Sequence, residues 1–543
     1  MVFARRSTTL LAAIIASCAL VLSLTACTSD NKTVVDGQTT VTSNSAGGVA
    51  VFTPSDGITL NQQMPLNKWA KLVPDLTKAL VDAGFKKGDI NHTTSDSLDK
   101  QSRAIQDFVV DHLSNNTTDD SGIAIAPDNM TLLVAPVVEA DASTRQYGDY
   151  VSQNLSTNDV TDEGATSDGE SSEDDSSKDD SSNTESDSTA SDEQAQAVDR
   201  LVSSLKLAKE SGMHVVLLGN SIEGYKPDAF VKFSDAQTIG KLQAEKMVSK
   251  LKLDKASKDN PKYIEVLLPY TAMDEKGNAN DSTFAQEAFR GIWQVLGSYY
   301  QKGVVESPSG TLDGKSTEND WQAVAYDAAK EGSTAKVLDK RLAKTDGQST
   351  LTRIDGIITM NDYIASEVVK ELDDLGYTGS AADINPQITI SGIVGNITGK
   401  KDLSRDAVPD PIKSPENDNA NDSSSSDDDA DKDTSASDKD RDSQWPLVTG
   451  YGAYVSNIPS IVNGKQWMTG MEDRQTIATD IAQACAKLNK DEALNSMPSI
   501  RNSEVDGVKK IPTINEPLLA VSAGNLKSAL IDPGYISLAD AGL

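Results

Sequence analysis

Asn361 and Asp362 are the pair whose types and placement could do chemistry. Their short side chains accept hydrogen bonds, and the Asn361 amide also donates. Ahead of them lies a short apolar run, Ile354, Ile357 and Ile358, patterned as a strand buried on both faces. Behind them Ile364, Val368, Leu372 and Leu375 recur at helical spacing, and Gly376 stops the helix. The pair therefore sits between a strand end and a helix start. Asn and Asp are good N-caps, so a satisfied helix terminus is one reading. A ligand site is the other. In open α/β sheets ligands bind beyond the strand carboxyl ends, against helix N-termini.

Other constellations lead away from catalysis. His92, His112 and His214 lie far apart, with no Cys or His at metal-ligand spacing. They read as surface or core residues, and no metal is expected. Gly450-Tyr451-Gly452 lacks the third Gly of a dinucleotide fingerprint and reads as a strand-end loop. No Gly-x-Ser-x-Gly elbow occurs, and no acid/base pair stands out. The acidic loop 274–281 lacks the spaced ligands and terminal Glu of an EF-hand, so it reads as a solvated rim loop. Neither an enzyme nor a cofactor is expected.

The elements that position the Asn361 pair belong to a chain of 543 residues, more than one core normally holds. Hydrophobic content is 37% and net charge −32. Two tracts account for much of both. Residues 156–193 hold 14 acidic residues and one Lys, and residues 414–443 hold 11 acidic and three basic. The remainder carries −11, a moderately acidic folded part. No basic patch interleaved with aromatics appears, which argues against nucleic acid as a partner. Both tracts have too little apolar surface to offset their ordering entropy and are expected to be disordered insertions.

The first residues read as an address. Arg5 and Arg6 precede an apolar stretch, 10–24, too short and wrongly flanked for a stable spanning helix. It ends in Leu24-Thr25-Ala26-Cys27, which resembles a bacterial lipobox. That resemblance implies a signal peptide over 1–26 and an acylated Cys27 as the first mature residue. The expected location is the extracytoplasmic face of the cell membrane, held by lipid, at about 0.8 kcal/mol per buried methylene. Cys18 would leave with the signal, and Cys485 alone on a helix reads as packing. Residues 27–46 read as a flexible tether.

From residue 47 onward strands and helices alternate. A strand near Val49 to Phe52 precedes a helix face of Trp69, Leu72, Leu76, Leu80 and Ala83. A helix near 98–113 and strand-like 123–126 and 132–138 follow. After the first acidic tract come Val198, Leu201, Val202 and Leu205 on a helix, then a strand at 215–218. The pattern repeats with a helix at 236–251, a strand at 263–268, helices containing Phe289 and Ile292 and starting at Trp321, and the Asn361 unit. Strands at 388–390 and 447–449 and a helix with Ile477, Ile481, Ala484 and Leu488 complete it. Such alternation argues for parallel sheets with right-handed crossovers, in two similar lobes.

Six segments in one order carry a resemblance. They are Asn67-Lys68-Trp69, the Gln-containing helix 101–108, Phe233-Ser234-Asp235 through Ala244, Asn361-Asp362 with Ala365, Gly464-Lys465-Gln466-Trp467-Met468-Thr469, and the tail 512–535. With them the chain resembles a type I periplasmic sugar-binding protein, of the group that includes the ribose, xylose and multiple-sugar receptors of ABC importers. The resemblance implies two doubly wound parallel-sheet lobes joined by three hinge crossings, with ligand in the cleft. Applied to this chain, it puts 47–233 and 468–510 in one lobe, and 234–467 and 511–543 in the other. It implies ligand contacts from Lys68, Trp69, Asn220, Asp235, Asn361, Asp362 and Tyr451. Carboxylates and amides would grip sugar hydroxyls while rings stack on the apolar sugar face.

The sequence departs from that family at three places. The Tyr-Asp-Arg expected near Leu218 reads Leu218-Gly219-Asn220, the last cleft strand's Gly-Gln-Asp reads Gly450-Tyr451-Gly452, and the Asn after Asp235 is Ala236. Tyr451 offers a ring and a hydroxyl in exchange. The expected function is capture of a carbohydrate and its delivery to an ABC permease. The alternatives are a ligand sensor of the same fold signalling to a membrane kinase, and a receptor for a non-sugar small solute.

Overall fold

A computed structural model describes residues 46–55, 65–115, 125–138, 144, 146–151, 153–155, 184–273, 280–343, 351–382 and 444–543. The signal segment, Cys27, the tether to residue 45, the strand expected at 388–390 and the second acidic tract lie outside them. So do 156–183 of the first tract and 274–279 of the rim loop.

Among the described residues a seven-stranded sheet forms the first lobe. Its spatial order is Ile500–Val505, Val508–Ile514, Ala229–Val231, His214–Leu218, Met130–Val134, Gly48–Pro54 and Ile90–Ser95. The strands are parallel except at the outer hairpin, where Ile500 faces Ile514. Their apolar alternation sorts side chains to two faces, as a strand period of two requires. Val49 and Val51 pack with the helix faces of Leu72, Leu76, Ile477 and Ile481. Ala50 and Phe52 pack oppositely, with Ile105, Val109, Leu201 and Leu205. Cys485 is buried in the first of these layers as a free thiol, its ionisation opposed by burial.

The second lobe repeats the order with four strands: Val305–Glu306, Lys262–Val266, Gly356–Ile358 and Leu447–Thr449, all parallel. In both lobes the first strand in sequence lies between the second and the third, the doubly wound arrangement. Helices Ala236–Leu251 and Thr283–Gln301 pack on each other so closely that a Cβ on Gly291 would lie 2.0 Å from the Gln237 carbonyl oxygen.

The chain passes between the lobes after Val231, at Met468–Met471 and again after Ile514. Met468–Met471 pairs antiparallel with Leu519–Ser522, so two crossings are stitched together. This shifts one expected boundary. Residues 511–514 belong to the first lobe's sheet, because Thr513 pairs with Phe230 and Ile514 with Val231. A second shift concerns the acidic tract, whose last residues, from Thr184, begin the helix Thr184–Glu210. Once the Val198 and Leu201 stripe fixes that helix, adding residues at its start costs only propagation, not nucleation.

Candidate functional site

The carboxyl ends of the strands in both lobes carry the side chains that the sequence singles out. After Gly356–Ile358 the backbone turns through Met360 at φ 68°, a left-handed conformation that costs a non-glycine residue about 1–3 kcal/mol. Gln243 Nε2 donates to the Met360 carbonyl at 2.9 Å and helps hold that turn. It sets Asn361 as the N-cap of helix Asp362–Leu375, its Oδ1 accepting from the Ile364 N–H at 2.9 Å. The cap reading is thereby met. The amide nitrogen points elsewhere, donating to Gln146 Oε1 at 3.1 Å.

Asp362 lies inside the hinge. Its Oδ1 accepts from Gln466 Nε2 at 2.7 Å; its Oδ2 accepts from Thr469 Oγ1 at 2.8 Å and from the Tyr454 N–H at 2.9 Å. Burial pushes the carboxyl up to about 6, against the pull of those donors. Gln466 and Thr469 come from the second crossing, so this carboxyl ties helix to hinge. Both oxygens of the expected ligand residue Asp362 are engaged there.

Tyr451 is fully buried in a second hinge cluster. Its hydroxyl meets Ser234 Oγ and lies 3.4 Å from Glu472 Oε1, which also accepts from the Ser234 N–H at 2.6 Å. Burial raises Glu472 to about 7. Ser234 belongs to the first crossing and Glu472 to the second, so Tyr451 also acts as a hinge group. Asp235 caps helix Ala236–Leu251 through Thr238 and pairs with Lys232 at 2.9 Å. Burial opposes its ionisation, but Lys232 and Thr238 hold its carboxyl below the usual range. The expected ligand residue Asp235 thus serves as a cap in this structure.

Lys68, Trp69 and Asn361 meet around one segment that the sequence reading passed over, residues 146–151. Asp149 accepts from Lys68 Nζ at 2.7 Å and from the Trp69 N–H at 3.1 Å, placing a carboxylate at the start of helix Trp69–Asp82. The Tyr150 hydroxyl donates to the Lys68 carbonyl, and its ring stacks on Phe233, centroids 4.9 Å apart. Trp69 meets both rings edge-on. Asn220 steadies the neighbouring backbone, donating to the Pro136 carbonyl at 2.9 Å and accepting from the Gln153 N–H at 3.0 Å.

The same segment reaches the second lobe. Tyr147 packs on Phe284 at 4.7 Å and faces Tyr451 at 6.3 Å. The Tyr454 hydroxyl donates to the Gln146 carbonyl at 2.7 Å. Tyr147 joins the second lobe's core and Tyr150 the first lobe's. One signal pointed here: two tyrosines and a valine around Gly148-Asp149 in an otherwise polar stretch. Among the described residues no group of three His, Cys, Asp or Glu is arranged to hold a metal ion.

Two doubly wound lobes, three crossings and helix starts of both lobes meeting at residues 146–151 decide the architecture. The fold is that of the type I periplasmic binding proteins. No protein-family model matches the chain, and no curated protein matches it. Solved structures similar to it include an ABC transporter solute-binding protein from Clostridium phytofermentans with bound β-D-glucose. It is 17% identical, with 91% of this chain and 99% of that one covered and a TM-score of 0.43. A carbohydrate transporter solute-binding protein from Chloroflexus aurantiacus, in complex with D-glucose, is 18% identical over 92% and 98%, with a TM-score of 0.44. The fold follows from the strand order and the three crossings.

Proposed function

We propose that this chain is an extracytoplasmic solute-binding protein, anchored by lipid at Cys27, that takes a carbohydrate between its lobes and passes it to an ABC-type permease. One observation supports the reading most. The starts of helices Trp69–Asp82, Thr283–Gln301 and Asp362–Leu375 converge on one cleft beside a hinge built from three crossings. Helix N-termini and short polar side chains suit a hydroxyl-rich solute, and Trp69 suits its apolar face. Hinge motion between two rigid sheets is the usual way such lobes open and close on a solute. In this reading Lys68, Trp69, Asn220 and Asn361 border the bound sugar once residues 146–151 have given way.

A thermal-shift screen of the full mature chain against mono- and oligosaccharides tests it. A solute bound only by the folded state raises the melting temperature, by about 2.7 kcal/mol of stabilisation at a hundredfold excess over Kd. A dose-dependent rise with a saccharide is expected. A rise with amino acids, peptides or nucleosides, and with no saccharide, would replace the carbohydrate by that class.

A further inference from the structure

Residues 146–151 lie between the two lobes. They touch helix starts in both lobes, with Asp149 on Lys68 and Trp69, Gln146 on Asn361, and Tyr147 on Phe284. Tyr147 and Tyr150 are each only 1% exposed, so the segment is packed as core rather than laid across the surface. Its chemistry copies that of a solute: a carboxylate and an amide meet the polar groups, and two rings meet the aromatic ones. The fit depends on Gly148. Its φ is +98°, and a Cβ there would lie 2.6 Å from the Asn67 carbonyl oxygen and 2.7 Å from the Asn67 Cβ. Asp149 donates its N–H to that same carbonyl at 2.8 Å. Only glycine allows this approach and this backbone turn.

We propose that residues 146–151 are a tethered occupant of the interlobe cleft, so that Gln146, Tyr147 and Tyr150 set its specificity: a solute binds only by displacing them. This rests on the receptor reading for the identity of the solute, but not for the presence of the occupant. The consequence is twofold. Without solute the lobes are held together by the segment's contacts to both sides. With solute, affinity is lowered by the fraction of time the segment is in place, about tenfold for ninety per cent occupancy.

The test uses the full mature chain carrying fluorophores at Lys78→Cys in the first lobe and Lys336→Cys in the second, both exposed. Gly148→Val dislodges the segment through its backbone and alters no other side chain chemically. Tyr147→Ala removes its second-lobe anchor and serves as an independent variant. Without added solute, the lobe-to-lobe distance is expected to be short and narrowly distributed in the parent, and longer or broader in both variants. In the parent, the Asp149 amide is expected to exchange its hydrogen slowly, a measurement that needs no substitution. Unchanged distances in a folded variant, or fast exchange at Asp149 in the parent, would overturn the proposal. Saccharides are then titrated into parent and Gly148→Val. A gain of about tenfold or more in the variant supports displacement, and equal affinity in both would contradict it. Opening of the variants with no saccharide bound by either would leave the tethered occupant standing and remove the carbohydrate reading.

Discussion

At the residue scale, two buried carboxyls mark the hinge. Glu472 and Asp362 are both held above the ordinary carboxylate range, at about 7 and about 6, first of all by burial. In the unfolded chain each titrates near 4. Between those values the folded state binds more protons than the unfolded one, so stability falls as pH rises. That loss begins near pH 4 and is complete once pH has passed about 7. Glu472→Gln keeps most of the hydrogen-bonding shape and removes one titration. The variant's melting temperature is expected to fall less than the parent's between pH 5 and pH 8. A pair of parallel curves would show that Glu472 titrates alike in both states. The sequence reading singled out Asp362 as a ligand contact, and the structure engages both its oxygens at the second crossing and Tyr454. A carboxylate after a strand end can face a cleft or a hinge, and only Gln466, Thr469 and Tyr454 around it decide which. Asn361 was more legible because capping is a local event, set within three residues.

At the scale of elements, legibility followed period and punctuation. The helix Ala236–Leu251 and the helix Asp362–Leu375 agree closely with their apolar spacing, and Lys252 and Gly376 end them in left-handed turns. The strand expected over 132–138 stops at Val134, ahead of Pro136. The hairpin of Ile500–Val505 and Val508–Ile514 was overlooked, although its Asp506-Gly507 turn, both at positive φ, is a strong hairpin signal. Its charged outer positions masked the alternation. The helix pair of the second lobe gives a direct test of packing. Gly291 lets Thr283–Gln301 touch the backbone of Ala236–Leu251 near Gln237. Gly291→Leu should force the helices apart and destabilise the lobe by about 1–3 kcal/mol, outweighing the roughly 1 kcal/mol that leaving glycine returns in a helix. Chemical denaturation reads this as a lower midpoint. A midpoint equal to or above the parent's would mean that the two helices can slide without cost.

At the scale of the whole molecule, the sequence conveyed two lobes and a cleft because strand–helix alternation is a repeated, redundant signal. It did not convey what fills the cleft. Residues 146–151 lie 215 positions from Asn361 at their hydrogen bond, and no local period records so distant a pairing. The address is a separate proposal at this scale. Cys27→Ser is expected to shift the chain from the membrane fraction to the medium or to leave an unprocessed precursor. A processed variant still in the membrane fraction would place the anchor elsewhere. The central claim is that a solute is held at the cleft where Asn361 caps its helix and reaches across with its amide. It is tested most directly by calorimetric titration of the saccharide with the largest thermal shift into the parent and into Asn361→Ala. The account predicts binding to the parent and a loss of about 1–3 kcal/mol in the variant, the effect of removing a buried hydrogen-bond partner. Equal affinity in the two chains would contradict it.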